Sequence, residues 1–490
     1  MGGGGGDVLA VYSGLGKQHE GAAAEAAHGD GGAATAPPGP GALLCHAWNG
    51  DRSMLAVSSP SSREVLVYAV DAKKKTGTAA VHAAAAGAAA AAGGGGGGSK
   101  ASDTAAPRLI ATLLEHDQPV SYLDWCPRRN LLLSCSHDRN CYVWSRGGAA
   151  ATTGGGGGQQ QQHQNTAASD GEAKERSGGW SPSLVVLRLN RAVTCGSWAP
   201  SEQKFAVGSG ARSVSVCYYE PENNWYVSKL IKKKHGSTVT GVAWHSSGTL
   251  LATSCMDGHV RVFTAFVRGV DEPAGAKLPM LAGMGTKEHF GECIYELNLG
   301  CKAWVHSVTW APTGKALVAV AHNSMLYHVS GIDVSDGTSG GGAAADVAAA
   351  LGKAADVRTI MHRGLPHRSV LFLTDNSFVA AGYDNVPVIY ARNTSSGEWA
   401  ETRVLTGAKQ EQKTSKNFGA ALARFKAQDD LGMDTDTLAA PKSTSHPHSN
   451  TVTCLRPIDD DGSVTRFSSS SDDGRLVIWT TKAVTIGSTN

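Results

Sequence analysis

A strand-length run closing on tryptophan recurs along this chain: CHAWNG around Trp48, SYLDWCP around Trp125, TCGSWAP around Trp198, TGVAWHS around Trp244 and HSVTWAP around Trp310. Shortly after comes a run of small and apolar residues, at Leu55, Leu132, Phe205, Leu251, Leu317, Phe378 and Phe467. A polar turn such as His137-Asp138-Arg139-Asn140 or Asp257-Gly258 follows, and a third run then alternates up to an aromatic: Trp144, Phe263, Tyr390 or Trp479. Between units lies a fourth apolar run, starting at Leu109, Leu184, Trp225, Cys293, Val357 and Ala400. A repeated unit of this size cannot bury its faces alone and must stack on its neighbours. Short runs of β-branched and aromatic residues between Gly, Asp, Asn and Pro, with little helical periodicity, predict an all-β chain. Seven four-stranded units arranged radially predict a seven-bladed β-propeller.

Closing such a ring requires a strand from one terminus on the last blade. Val8 to Tyr12 (VLAVY) is the favoured segment, with Ala483 to Ile486 as its rival.

The 61 glycines in 490 residues are concentrated in runs. Residues 1–42 form a low-complexity N-terminus, 43–481 the propeller, and 482–490 a tail. Segments 72–108 and 147–180, built mostly of Gly, Ala, Gln and Ser, interrupt the propeller as inter-blade insertions. They cannot bury enough apolar surface to offset ordering, and are expected to be disordered surface loops. Their length costs little, because closure entropy grows only logarithmically.

With 44 basic and 42 acidic residues, no global field draws the chain onto nucleic acid or anionic lipid, though a local basic patch is compatible with that balance. No apolar stretch is long enough to span a membrane, so no membrane insertion is expected. Ten cysteines scattered as singletons suit reduced thiols in a cytoplasmic protein.

Blade two supplies His116, Ser136, Asp138 and Trp144, and blade seven supplies His448, Ser471, Asp473 and Trp479 at matching spacing. Such a set predicts a hydrogen-bonded chain through the blade. A Ser/His/Asp set also resembles a nucleophilic triad, but recurrence at the repeat period beside a tryptophan donor favours the structural role. Blade four keeps His235 and Asp257, with Cys255 and Phe263 in the other places. There is no phosphate-loop, HExxH or EF-hand pattern, so neither catalysis, cofactor nor metal is expected.

Residues 394–447 are different in kind. Within them, about 416–428 carry Phe418, Leu422 and Phe425 as one apolar stripe, which predicts a short amphipathic helix capped by Ser415. Periodicity leaves two fates open: packing back on the propeller, or presentation to a partner groove. Lys232, Lys233 and Lys234, beside Arg128 and Arg129 on another blade edge, form a candidate basic rim for acidic partner surfaces.

The stretches HDRNCYVW (137–144), FAVGSGARSVSVCYYEPENNWYVSKLIKK (205–233), WVHSVTW (304–310) and DNSFVAAGYDNVPVIY (375–390) resemble the WD-repeat propeller subunit of the actin-related protein 2/3 complex. The resemblance implies a non-catalytic scaffold in an assembly that nucleates branched actin filaments. It implies as partners the other subunits, the actin filament and nucleation-promoting activators, at the actin cytoskeleton. It also implies an insert helix between the last two blades that protrudes towards actin, which puts Phe418, Leu422 and Phe425 on the partner-binding side. The alternative is a general WD-repeat adaptor of another multiprotein complex.

Overall fold

Alternating small and β-branched residues make every regular element here a strand, because such side chains pack on a pleated surface and lose χ1 freedom in a helix. The computed structural model describes residues 8–13, 41–70, 107–147, 177–271, 290–300, 303–331, 356–407, 446–459 and 463–481, and no helix occurs among them. In chain order, β1 is Val8–Ser13. Blade one is β2–β5 (Cys45–Trp48, Met54–Ser58, Val65–Ala69, Arg108–Leu113), and blade two is β6–β9 (Val120–Cys126, Leu131–Ser136, Cys141–Arg146, Trp180–Val185). Blade three is β10–β13 (Val193–Trp198, Lys204–Ser209, Ser213–Glu220, Trp225–Ile231), and blade four is β14–β17 (Val239–Trp244, Leu250–Cys255, His259–Thr264, Cys293–Asn298). Blade five is β18–β21 (Val305–Trp310, Ala316–Ala321, Met325–Ser330, Asp356–Met361), and blade six is β22–β25 (His367–Thr374, Ser377–Gly382, Val388–Arg392, Trp399–Val404). Blade seven combines β26–β28 (Val452–Pro457, Arg466–Ser471, Arg475–Thr480) with β1.

The ring is closed. Each first strand contacts that of the next blade, and β26 contacts β2. The N-terminal strand completes blade seven by antiparallel pairing of β1 with β28, Val8 opposite Trp479 and Tyr12 opposite Leu476. The C-terminal rival, Ala483 to Ile486, lies outside the described residues.

Apolar clusters sit between blades, where the faces of neighbouring sheets meet. Two of the first-strand tryptophans bond to backbone carbonyls across these seams: Trp244 Nε1 donates to Ser197 O at 3.0 Å and Trp310 Nε1 to Ala243 O at 3.2 Å, each on the preceding blade. A hydroxyl near the start of the first strand repeats the stitch in the opposite sense. Ser121 donates to Val193 O (2.7 Å), Thr194 to Val239 O (2.5 Å), Thr240 to Val305 O, and Thr453 to Leu43 O (2.8 Å). The register shifts across each of these four hydroxyls, and at the matching positions His306 and Arg368 of blades five and six, as a β-bulge that bends the strand and re-aims side chains.

The two ends of the strands define two faces. Face one carries the connections between blades and the turns between second and third strands. Face two carries the turns between first and second strands and the connections between third and fourth. Those third-to-fourth connections are tight in blades three (221–224) and six (393–398), and long in blades one, two, four and five.

Two boundaries shift. Trp180 belongs to the core rather than to insertion 147–180: it is 4% exposed and meets Trp125 edge-on at 5.6 Å. The fourth strand expected from Leu184 instead starts at Trp180 and ends at Val185; four of its six positions are exposed, so no apolar run marks it although its backbone pairs along β8. The fourth strand of blade six expected from Ala400 is present as Trp399–Val404, so the insert starts after it rather than at 394. The helix expected over 416–428, with Phe418, Leu422 and Phe425, lies outside the described residues.

Candidate interaction site

The polar chain through blade two runs from Trp144 Nε1 to Ser134 Oγ (2.9 Å), from Ser134 Oγ to His116 Nε2 (2.8 Å), and from His116 Nδ1 to Asp138 Oδ2 (2.8 Å). In blade seven Trp479 Nε1 donates to Ser469 Oγ (2.7 Å), and His448 Nε2 lies 2.6 Å from the same oxygen. His448 Nδ1 stands 3.5 Å from Asp473 Oδ1 and makes no hydrogen bond. The hydroxyls are therefore Ser134 and Ser469, which corrects the expectation for Ser136 and Ser471. Residues two apart on a strand share a face, so alternation cannot separate them. Ser136 sits where the strand enters the turn; it donates to Gln118 O (2.9 Å) and accepts from the Asp138 N–H (3.1 Å). Ser471 repeats this with Asn450 O (2.9 Å) and the Asp473 N–H (3.2 Å). Ser134 and Ser469 are fully buried, so neither can meet a substrate as a nucleophile.

Blade four departs from the pattern. His235 Nε2 pairs with Thr253 Oγ1 at 3.0 Å, so Thr253 fills the place that spacing gave to Cys255. Asp257 keeps the backbone bond that Asp138 and Asp473 also accept, here from the Gly236 N–H (2.7 Å), but pairs with the Arg261 guanidinium (2.8 Å) instead of the histidine. His235 Nδ1 is left without a hydrogen-bond partner. Blade six rebuilds the chain with Tyr390, whose hydroxyl lies 2.8 Å from both His362 Nδ1 and His367 Nε2.

Burial dominates the titration of these groups. Burial and then Arg261 push His235 down to about 4, burial and then Arg392 bring His328 to about 4, and burial and then His362 bring His367 to about 3. Unfolded histidines take up protons below roughly pH 6.5 while these stay neutral, so stability rises with pH through this window and is lost as pH falls. At pH 5.5 each is expected to cost about 1 kcal/mol, and calorimetry should show a lower melting temperature than at pH 7. An unchanged melting temperature between those two pH values would contradict their burial as neutral rings. Asp138 behaves oppositely. Burial alone would raise its carboxyl, but hydrogen bonds from His116 and the Asn140 N–H hold it below the usual range.

The basic rim divides between the two faces. Arg128 and Arg129 lie in the β6–β7 turn on face two, where both backbone N–H groups donate to the Glu202 carboxylate at 3.0 Å. The Arg128 guanidinium donates to Pro200 O (2.8 Å) and that of Arg129 to Glu202 O (2.9 Å). These arginines latch blade two to blade three. Lys232, Lys233 and Lys234 lie exposed in the β13–β14 connection on face one. Proximity on adjacent blades does not specify which end of the strands a turn occupies, and these turns take opposite ends.

The first strands enclose a channel with a volume of about 990 Å³. Arg456 in its wall joins three blades: Nε donates to His46 O at 3.1 Å, Nη2 to Leu123 O at 2.5 Å, and the guanidinium lies 4.8 Å from the Tyr122 ring. Asp124, 3.7 Å from Arg456 Nη1, accepts the Trp198 N–H at 2.7 Å. Sequence reasoning missed this cluster; its signal is an acidic residue beside the closing tryptophan in SYLDW. It also missed Lys204, whose buried ammonium pairs with Asp271 and Ala265 O. Among the described residues no group of three or more His, Cys, Asp and Glu side chains is placed to hold a metal.

Residues 107–145, 227–264 and 440–480 match the family model for the WD domain, G-beta repeat. Over 442 residues the chain is 34% identical to actin-related protein 2/3 complex subunit 1B of Arabidopsis thaliana, covering 89% of this chain and 93% of that protein. It is 31% identical over 444 residues to subunit 1A-A of Xenopus laevis, covering 90% and 95% respectively. With subunit 1 of Schizosaccharomyces pombe it shares 33% identity over 384 residues, 75% of this chain and 87% of the relative. With seven blades, hydrogen-bonded WD chains and this identity along most of its length, the chain belongs to the actin-related protein 2/3 complex subunit 1 family.

Proposed function

We propose that this chain is a non-catalytic scaffold of an actin-related protein 2/3 complex, supporting nucleation of branched actin filaments in the cytoplasm. The observation that carries the reading is the 31–34% identity to complex subunits over about 90% of the chain. Its partners are the remaining subunits, the actin filament and nucleation-promoting activators. The architecture suits such a role, because rigid blades hold their connecting loops in fixed relation while the polar chains within them serve folding. The filament contact is assigned to the insert that leaves after Gly407 and returns at His446, through Phe418, Leu422 and Phe425. Both points of attachment belong to a connection between blades, on face one.

Affinity purification from native lysate tests the assembly: both actin-related subunits are expected, and recovery of ubiquitin-ligase or ribonucleoprotein components instead would overturn it. Leu422→Ala combined with Phe425→Ala is expected to leave assembly intact and weaken filament binding and branching by about tenfold, as loss of an interface anchor does. If the variant fails to fold, the stripe belongs to the propeller core.

A further inference from the structure

On face one, the β9–β10 connection, the β11–β12 turn and the β13–β14 connection converge around a cavity of about 470 Å³, lined in part by Arg188, Arg212, Lys232, Lys233 and His235. These three segments carry six cations, Arg188, Arg191, Arg212, Lys232, Lys233 and Lys234, and no Asp or Glu between 186 and 192, 210 and 212, or 232 and 238. All six are exposed, and none forms an ion pair with a described carboxylate. Like charges gathered without counter-charges repel one another, so the arrangement lowers stability unless an anion joins it.

Arg212 takes the left-handed position of its turn that Arg139, Gly258, Ser324, Asn385 and Gly474 take in the corresponding turns of other blades, so this conformation belongs to the repeat. His235 also lines the cavity, 6% exposed and bonded to Thr253, and burial keeps its ring neutral down to about 4, so the positive charge of the site comes from the arginines and lysines.

We propose that this cavity binds a multiply phosphorylated small molecule of the inositol polyphosphate class, free or as a lipid headgroup. Arginine forks and lysines match phosphate oxygens, and the volume lies within the range of small-ligand pockets. A compact polyphosphate can enter and meet cations from all three segments. The broad acidic protein surface expected from the lysine run would span the loops without filling it, so the observations favour the small ligand.

Calorimetry of the full chain with inositol hexakisphosphate tests this. Binding is expected, with Arg188→Gln plus Arg212→Gln weakening it at least about tenfold at unchanged melting temperature. Lys232→Gln, a second exposed change, should weaken it in the same direction, whereas Arg128→Gln on face two should not. Sedimentation with phosphatidylcholine vesicles, with and without phosphatidylinositol bisphosphate, separates the sources. Co-sedimentation only with the phosphorylated lipid assigns a headgroup site, and calorimetric binding without co-sedimentation assigns a soluble ligand. No calorimetric binding, an equal loss in Arg128→Gln, or equally effective competition by a polyglutamate peptide would each overturn the proposal.

Discussion

Removal of residues 1–12 is expected to open the ring and lower the thermal midpoint by about 5–10 °C. Strand β1 is the outer strand of blade seven, paired with β28 from Val8 to Ser13. Val8 and Val11 pack against the cluster that contains Phe467 and Trp479, while Tyr12 packs against the one that contains Trp48 and Leu476. Taking three such side chains from partial burial into water costs about 4 kcal/mol in all, at about 1–2 kcal/mol each. The loss also bares β28 as an unpaired edge, a template for pairing with another chain. Scanning calorimetry and size-exclusion chromatography check both effects. A truncated chain that melts with the full-length protein and stays monomeric would show that β1 contributes nothing.

Trp479→Ala is expected to cost about 3–5 kcal/mol, read as a lower urea midpoint. The side chain is fully buried, stacks on Phe467 at 6.3 Å with planes 15° apart, and donates to Ser469. Truncation therefore leaves a cavity and removes the donor that completes the chain to His448. Trp479→Phe keeps most of the volume and loses the hydrogen bond, so its cost should be nearer about 1–2 kcal/mol. An alanine variant no worse than the phenylalanine variant would refute the packing argument. Because Val8 lies opposite Trp479, truncating both should cost less than the sum of the separate losses, by about 1 kcal/mol.

The architecture was legible wherever a side chain's job repeats from blade to blade. The interval from Asp to Trp is the same at 138–144 and 473–479, and the tryptophan at the end of the first strand marks a seam between blades. Where the choice lay within one face of one strand, sequence could not decide. Ser134 and Ser136 both point to the same side, and only depth in the blade separates the hydroxyl that meets Trp144 from the one that closes the turn. Trp180 was hidden by the Gly-Gly before it and the Ser-Pro-Ser after it, although backbone pairing needs no apolar alternation. Arg456 was invisible for a different reason. Its partners His46 and Leu123 come from the far end of the chain, brought near only when the ring closes. Lys204 was passed over because a lysine is ordinarily placed in water, and only a partner such as Asp271 makes its burial tolerable.

The long connections between third and fourth strands make the two faces of the ring unequal. They leave and rejoin blades one, two, four and five on face two, where blades three and six present tight turns, whereas on face one the turns between second and third strands are short in all seven blades. Within a blade, then, length varies widely only where the third strand passes to the fourth, so chain can be added or removed there without shifting the first strands on which closure of the ring depends.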